Sequence, residues 1–205
     1  MKRDLIIERL DRSFENYGIR MSSRGDHDLN PGMTPPGTEL REAAVLVPLV
    51  ERVEGLTMML TQRTDHLDHH PGQISFPGGH VENSDGSAEE AALREAEEEV
   101  GLDREHVRIV GRLDQYITRT GFSVTPVVGF VHPNYTVAPD EFEVAEVFEV
   151  PLAFLLDAAN HRRDSRVYKG LKREFYAMPY GDYYIWGATA GMIRNLYDVL
   201  IDDGN

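Results

Sequence analysis

Residues 94–102 read REAEEEVGL, a run of charged and small residues that predicts the helix around which the fold is arranged. On a helix, Glu95, Glu98 and Glu99 stand at positions i, i+3 and i+4, so all three carboxylates project from one face. Such like charges destabilise an isolated helix by roughly a few tenths of a kcal/mol per pair, and a divalent cation is the natural compensation. Oxygen ligands suit Mg²⁺ or Mn²⁺, and Arg94 can hold one carboxylate in place by a bidentate pair.

The predicted helix extends over residues 87–100, with Ser87 as its N-cap and Glu90 completing a capping box. Gly101 stands where a C-terminal glycine belongs. Before the helix, residues 76–79 read FPGG, which lets the backbone turn tightly so that a carbonyl and amides can approach a metal or a phosphate. A solvated acidic helix is the alternative that composition alone favours, and the neighbouring turn argues against it.

Around this helix, hydrophobic periodicity and turn residues predict a mixture of hairpins and helices. The predicted strands are 43–52, 56–63, 73–76, 107–117, 123–132, 144–150, 173–180 and 183–186. The other predicted helices are 4–17, ended by Gly18, then 151–158 and 189–201, and a polar loop covers 21–38. This order predicts an α/β fold with a mixed sheet between helices.

Composition narrows the class of protein. The chain has 205 residues, of which 41% are hydrophobic, enough for one core. Its longest apolar run is too short to cross a bilayer, no signal-peptide core is present, and cysteine is absent. We therefore expect a cytoplasmic protein without a membrane partner. The net charge of −14 repels a phosphate backbone, so nucleic acid is not an expected partner. That charge fits a halophilic source or an ordinary acidic protein equally well.

Residues 79–102 resemble the Nudix box, usually written G-x5-E-x7-R-E-U-x-E-E-x-G-U with U apolar. The second half matches at every specified position from Arg94 to Leu102. In the first half, a one-residue insertion places Gly79 at the glycine position and Asp85 at the acidic position. With FPGG in front, this form looks like the coenzyme A pyrophosphatase branch of the Nudix hydrolases.

More of the chain resembles that branch. The matching segments cover roughly residues 41–194 and include 41–46, 60–63, 72, 76–79, 125–129, 186–187 and 189–191. Two positions depart from the upstream signature: Thr64 stands where a small residue is usual, and Asp68 stands where an Arg is usual. These departures leave the substrate open.

The resemblance implies a Nudix-type α/β/α sandwich at residues 39–205, preceded by an N-terminal helix and loop at 1–38. It implies a Mg²⁺- or Mn²⁺-dependent hydrolase that cleaves the pyrophosphate bond of coenzyme A or its thioesters to 3′,5′-ADP and (acyl-)phosphopantetheine. Two alternatives remain: a Nudix hydrolase of another nucleoside diphosphate derivative (ADP-ribose, NADH or a dNTP), and a catalytically silent nucleotide-binding module. A homodimer is left open.

By this resemblance, Glu95 and Glu99 are the principal metal ligands and catalytic residues, with Glu98 as a further one. The Gly79 carbonyl adds another oxygen ligand. Arg94 is a structural support that orients a carboxylate instead of touching substrate.

The general base is either a ligating Glu of the helix or an acidic residue on a later loop, where Glu143 matches the branch better than Glu141. An exposed acidic loop before a strand is the alternative for that segment. Arg63 closes a strand before the metal loop and Arg41 opens the strand beside it. Both can therefore bind substrate phosphate, with a surface ion pair as the alternative.

The remaining candidates have plainer explanations. Glu82 and Asp85 lie in the connector before the helix and are expected to face solvent, with a water-mediated metal contact as the alternative. The histidines within 66–70 indicate a polar turn more than a zinc site. The aromatic residues within 183–186 indicate core packing more than adenine stacking.

Overall fold

The structure, a computed structural model, describes residues 1–17, 24–32, 40–67, 70–168 and 170–201. Its helices are α1 (Arg3–Tyr17), α2 (Ala88–Val100), α3 (Leu152–Leu155) and α4 (Ala188–Ile201). The strands are β1 (Arg24–Gly25), β2 (Arg41–Arg52), β3 (Gly55–Arg63), β4 (Ile74–Ser75), β5 (Gly78–His80), β6 (Val107–Arg112), β7 (Tyr116–Ile117), β8 (Phe122–Val131), β9 (Val144–Pro151), β10 (Arg162–Tyr168), β11 (Leu171–Tyr180) and β12 (Tyr183–Trp186).

A large mixed sheet holds the strands that position the site. Its order is β1-β7-β8-β2-β3-β4, with β5 paired to β2, β6 to β8 and β9 to β3. The central strands β2 and β8 run parallel, whereas β3 pairs antiparallel with β2, β4 and β9. Strands β10, β11 and β12 form a second, antiparallel sheet. The predicted hairpin of the last two strands is confirmed.

The mixed sheet is buried on both faces because side chains along β2 alternate between two hydrophobic clusters. Ala44 and Leu46 belong to the cluster that includes the alanines of α2. Val47 and Leu49 belong to the cluster on the opposite face. That second cluster takes side chains from the other two long helices, namely Ile6, Leu10, Ile193, Leu196 and Leu200. The expected sheet between helices is therefore confirmed.

The caps of α2 follow the sequence closely, with one difference. The Ser87 side chain accepts a hydrogen bond from the Glu90 N–H at 3.2 Å, as an N-cap does. The Glu90 carboxylate, however, accepts from the Gly86 N–H at 2.7 Å, so the predicted reciprocal bond of a capping box reaches one residue further back. At the other end Gly101 adopts φ +64°, and its N–H donates to the Glu97 carbonyl.

Two predicted elements of secondary structure need correction, and strand β10 is an addition. The strand predicted over 107–117 is two strands, β6 and β7, with residues 113–115 between them, and within β6 Gly111 at φ +155° lies at a register shift against β8. The helix predicted over 151–158 stops at Leu155, since the Asp157 side chain accepts from the Ala159 N–H and caps a separate short turn. Strand β10 was not predicted, because its largely charged, exposed sequence carries no apolar alternation.

The N-terminal segment contributes to the same core as the rest of the chain. Helix α1 packs on β6 and α4, with Ile6 and Leu10 fully buried. Within the predicted loop, Arg24 and Gly25 pair with β7 as strand β1. The expected helix stop at Gly18 and the division at residue 38 lie outside the described residues. In the part of the chain described, no helix combines the length and apolar character needed to cross a membrane.

Candidate active site

The centre of the site is the contact between the paired glycines of β5 and helix α2. Strand β5 pairs with β2 through Gly78 and Gly79, and α2 packs against both strands. The Gly78 N–H donates to Glu99 Oε2 at 3.0 Å. A Cβ atom added to Gly79 would lie 2.5 Å from Glu95 Cδ and 2.6 Å from each carboxylate oxygen. Both carboxylates therefore lie against the glycine backbone, and the close approach of Glu95 to Gly79 leaves no room for a Cβ atom there.

Burial and neighbouring negative charges disfavour the ionised forms of Glu95 and Glu99. Glu99 is only 8% exposed, and burial raises its pKa to about 7, against the opposing effects of the Gly78 N–H and Arg63. Burial also raises the pKa of Glu95, and the charges of Glu98 and Glu143 add to it, while Arg94 opposes the shift. The charged forms of both groups are thus under-compensated in this pocket.

Arg63 joins the helix to a loop that is distant in sequence. Its Nη1 lies 3.7 Å from Glu99 Oε1, and its Nη2 lies 3.8 Å from Glu143 Oε2. Arg63 ends β3, beside the start of β9, where it pairs with Val144. The Arg63 guanidinium, which the sequence predicts to bind substrate phosphate, thus contacts two carboxylates of the same site.

The loop carrying Glu143 is fastened to both the helix and β3. The Asp140 N–H donates to the Glu99 carbonyl at 2.9 Å. The Thr64 N–H donates to the Glu143 carbonyl at 3.0 Å, and the Thr64 hydroxyl donates to the Phe142 carbonyl at 2.8 Å. Thr64 is 7% exposed. The residue that departs from the branch signature therefore holds this loop in place through its buried side chain. No periodicity in the sequence could have revealed this connection.

Arg94 is the organising cation on the outer side of the site. Its Nε and Nη2 each donate to Asp85 at 3.0 Å, and Nη2 also donates to the His80 carbonyl. Its Nη1 donates to Glu95 at 3.0 Å and to Glu98 at 2.9 Å. The hydrogen bonds from Arg94 lower the pKa of Asp85 and hold the connector on the helix.

Two acidic residues are not placed as the sequence suggested. The Asp85 side chain is 6% exposed and paired with Arg94, so the expectation that it faces solvent is wrong. Glu82 does face solvent. Glu98 shares the helix face with Glu95 and Glu99, but its side chain is 61% exposed and extends outward to Arg94. Glu98 therefore lies at the exposed edge of the site, sharing Arg94 with Glu95, whereas Glu143 shares Arg63 with the buried Glu99.

Arg41 lies beside this cluster without contacting its carboxylates. Its guanidinium stacks over the Phe122 ring at 4.0 Å and donates to the Thr120 carbonyl at 3.3 Å. The His80 ring lies 5.2 Å from the same Phe122 ring. The exposed Arg41 guanidinium and the ring of His80, the residue that follows Gly79, thus both contact Phe122.

The remaining candidates lie around the rim. His66 contacts the Phe142 ring at 4.8 Å, and His70 Nδ1 lies 2.9 Å from Gln73 Oε1. Asp68 and His69 are outside the described residues. Two aromatic residues of β12 pack against other rings, Tyr183 on Phe148 at 3.7 Å and Trp186 on Phe175, whereas Tyr184 is exposed, so the expected core packing does not hold for it.

The donor set suits a hard divalent cation. Glu95 and Glu99 offer carboxylate oxygens beside the Gly78–Gly79 backbone, and such cations also accept backbone carbonyl ligands. Their raised pKa values mark a negative pocket whose charge a cation would compensate. Among the described residues, no three His, Asp or Glu side chains already stand as a closed ligand group.

Comparison with known proteins agrees with this geometry. The model of the NUDIX domain matches residues 40–171. An uncharacterized Nudix hydrolase, NudL, from Enterobacter sp. (strain 638) is 44% identical over 168 residues, covering 82% of this chain and 87% of that protein. NudL from Salmonella typhimurium (strain LT2) is 42% identical with the same coverage.

Solved structures show the same fold at low identity. A MutT/nudix family protein from Enterococcus faecalis has a TM-score of 0.51 and 16% identity, covering 98% of this chain and 75% of that one. Together, the family match over most of the chain and the close relatives establish that this protein belongs to the Nudix family and is a Nudix hydrolase.

Proposed function

We propose that the protein is a Mg²⁺- or Mn²⁺-dependent hydrolase that cleaves the pyrophosphate bond of coenzyme A or its thioesters, giving 3′,5′-ADP and (acyl-)phosphopantetheine. The observation that carries the hydrolytic chemistry is the position of Arg63 between Glu99 and Glu143. Glu99 and its neighbour Glu95 lie against the backbone of Gly78 and Gly79. The choice of substrate rests on the resemblance of residues 60–79 to the coenzyme A branch.

Four residues would hold the cation. Glu95 and Glu99, which lie against the Gly78–Gly79 backbone, would be joined by the Gly79 carbonyl and, from the outer side, by Glu98. When bound, the cation would neutralise charge on the non-bridging phosphate oxygens and favour attack by water. Arg94 would fix Glu95 and Glu98 in place while remaining bound to Asp85.

Glu143 is the best-placed general base. Its side chain is 42% exposed, so water reaches the carboxylate, whereas the Glu99 side chain is 9% exposed. Glu143 would accept a proton from the attacking water and pass it to bulk solvent. The backbone of its loop is fixed by Thr64 and Asp140, which keeps the carboxylate near Glu99.

Arg63 and Arg41 would bind the substrate phosphates. Arg63 contacts its two carboxylates at 3.7 and 3.8 Å, longer than close hydrogen bonds, so a phosphate oxygen can displace one of them. Arg41 is exposed and supported by the Phe122 ring, which leaves its N–H groups available to a second phosphate oxygen.

Two alternative functions would use residues of the same site. Another nucleoside diphosphate derivative, such as ADP-ribose, NADH or a dNTP, would use the same residues. This alternative is kept because Thr64 and Asp68 depart from the branch signature. A silent binding module is less consistent with the site, since nucleotide binding alone does not require two carboxylates with raised pKa values side by side.

We also propose the organisation suggested by the sequence: a hydrolase domain at residues 39–205 with an N-terminal helix and loop at 1–38. A cytoplasmic location without a membrane or nucleic-acid partner fits the cysteine-free, acidic composition. A homodimer remains open.

The proposal is tested by a hydrolysis screen with Mg²⁺ and with Mn²⁺, at low and at multimolar salt. Coenzyme A, acetyl-coenzyme A, ADP-ribose, NADH and dNTPs would be compared, with products identified by mass. Release of 3′,5′-ADP from coenzyme A as the preferred reaction is expected. Preference for another nucleotide would refute the coenzyme A assignment and leave the chemistry. No turnover of any substrate would favour a binding module.

A further inference from the structure

Phe142 presents an exposed aromatic ring beside the carboxylates of the site. The residue is 65% exposed, although a phenyl ring normally gains stability by leaving water. Its ring contacts His66, with centroids 4.8 Å apart and planes at 59°, and most of its surface stays open. Tyr183, by contrast, is stacked flat on Phe148 and is already occupied.

The exposure of Phe142 is imposed by its backbone. The Phe142 N–H donates to Asp140 Oδ1 at 2.9 Å, and its carbonyl accepts from the buried Thr64 hydroxyl at 2.8 Å. The next residue, Glu143, donates its N–H to the Asp140 carbonyl at 2.9 Å. Because the backbone on both sides of the ring is fixed, the ring is held at the surface by a defined loop.

The ring also lies next to the proposed chemistry. Phe142 precedes Glu143, whose carboxylate is 3.8 Å from Arg63, and Arg63 is 3.7 Å from Glu99. A group joined to a diphosphate at Arg63 would therefore lie close to this loop. The flat face of a nucleobase stacks on an aromatic ring whatever the identity of the base. A neutral base also avoids the repulsion that this chain of net charge −14 exerts on anions.

We propose that Phe142, with His66 beside it, is the platform on which the nucleobase of the substrate stacks. The inference rests on the proposed function, because it takes the base to be joined to a diphosphate held near Arg63. Phe142 is then a substrate-binding residue, and Thr64 is a positioning residue that acts through the Phe142 carbonyl.

The test measures binding of 1,N6-etheno-ADP, with Ca²⁺ in place of Mg²⁺, from the fluorescence of the etheno base. Stacking on an aromatic ring quenches that fluorescence. Phe142→Ala should raise the Kd about tenfold and abolish the quenching, as expected for the loss of one base–aromatic stack. Phe142→Tyr should preserve both, whereas Phe142→Leu should lose the quenching because it is apolar without a π face.

A matched control is Val53→Ala, which removes an exposed apolar side chain at the turn between β2 and β3. Val53 precedes the start of β3, whereas Arg63 is at its end, so this variant should bind the probe like wild type. Equal Kd and quenching in wild type and Phe142→Ala would overturn the inference, as would a wild type that does not bind the probe. Light scattering that shows a dimer lost in Phe142→Ala, with probe binding unchanged, would assign the ring to a protein interface and also overturn it.

The outcome separates this inference from the proposed function. Hydrolysis of a nucleotide by wild type, with probe binding and KM unchanged in Phe142→Ala, would refute only the stacking platform. Probe binding that depends on Phe142 in a protein that hydrolyses no diphosphate would refute only the proposed hydrolysis. In the expected case KM rises in Phe142→Ala by the same factor as the Kd of the probe, and kcat changes much less.

Discussion

Replacing Gly78 by alanine should weaken the fold, whereas replacing its neighbour Gly79 by alanine should spare the fold and damage the site. A Cβ on Gly78 would lie 2.4 Å from the Ala44 carbonyl oxygen and 2.6 Å from Val45 Cα, both backbone atoms of central strand β2. Gly78 also adopts φ +155°, a conformation that alanine rarely takes. Neither obstacle can move without disturbing the sheet.

The magnitude follows from these two contributions. Forcing a residue with a side chain into such a backbone conformation costs about 1–3 kcal/mol, and overpacking adds about 1–3 kcal/mol. We expect Gly78→Ala to lower the free energy of unfolding by about 3 kcal/mol or more. For a chain of this size, each kcal/mol lowers Tm by about 2–4 °C, so Tm should fall by about 6–12 °C.

Gly79→Ala meets a different neighbour. The three atoms nearest to the added Cβ would all belong to the carboxylate of Glu95, at 2.5–2.6 Å, and the φ of Gly79 lies outside the left-handed region. A carboxylate at the end of a flexible side chain can move aside, so Tm should stay within about 3 °C of wild type. Glu95 would then leave its place beside the Gly79 carbonyl, and apparent Mg²⁺ affinity should fall about 10- to 100-fold.

Thermal unfolding followed by circular dichroism, together with hydrolysis measured against Mg²⁺ concentration, distinguishes the two variants. Gly79→Ala should retain Tm and lose activity at low Mg²⁺. A Gly78→Ala protein as stable as wild type would refute the packing argument. A Gly79→Ala protein with wild-type Mg²⁺ dependence would show that Glu95 is not a metal ligand.

Two further predictions concern ion pairs inside and outside the site. Arg94→Lys should lose the paired hydrogen bonds to Asp85 and reduce activity about 10- to 100-fold. Saturating Mg²⁺ should restore part of that activity. Unchanged activity would show that Arg94 does not support the site. Burial raises the pKa of Glu149, but hydrogen bonds from Arg52, Thr57 and Tyr135 outweigh it and lower the pKa from 4.5 to about 2. Because the folded-state pKa is depressed, Glu149 stabilises the protein above pH 4.5, and this contribution is lost as pH falls towards 2. With a side chain 21% exposed, screening reduces the contribution to about 2 kcal/mol. Glu149→Gln should therefore lose about 2 kcal/mol in urea unfolding at pH 7 and progressively less below pH 4, and a constant difference across that range would contradict the assignment.

The sequence predicts helix α2 and its surroundings well because the signals there are local. Ser87 caps one end, Gly101 ends the other, and the alanines between them face the sheet. Each of these features depends on neighbours within a few positions, which periodicity and capping rules describe. The two glycines before the helix carry a turn signal, but in the structure they lie in strand β5, which the sequence did not predict.

What the sequence could not supply depends on contacts between distant segments. Glu143 reaches Arg63 only because the Asp140 N–H is bound to the Glu99 carbonyl and the Thr64 N–H to the Glu143 carbonyl. Helical spacing alone puts Glu98 with Glu95 and Glu99, whereas packing buries Glu99 and leaves Glu98 exposed. Strand β10 is held by pairing with β11, which a charged sequence without alternation does not announce.

The central claim is that the carboxylates of Glu99 and Glu95, which lie against Gly78 and Gly79, form the catalytic metal centre. It is tested most directly by the Mg²⁺-dependent turnover of coenzyme A by wild type and by Glu99→Gln. The Gln side chain still accepts from the Gly78 N–H, so Tm should stay within a few degrees. We predict that kcat falls by at least about 10²-fold at every Mg²⁺ concentration. Turnover by Glu99→Gln equal to wild type would contradict the account.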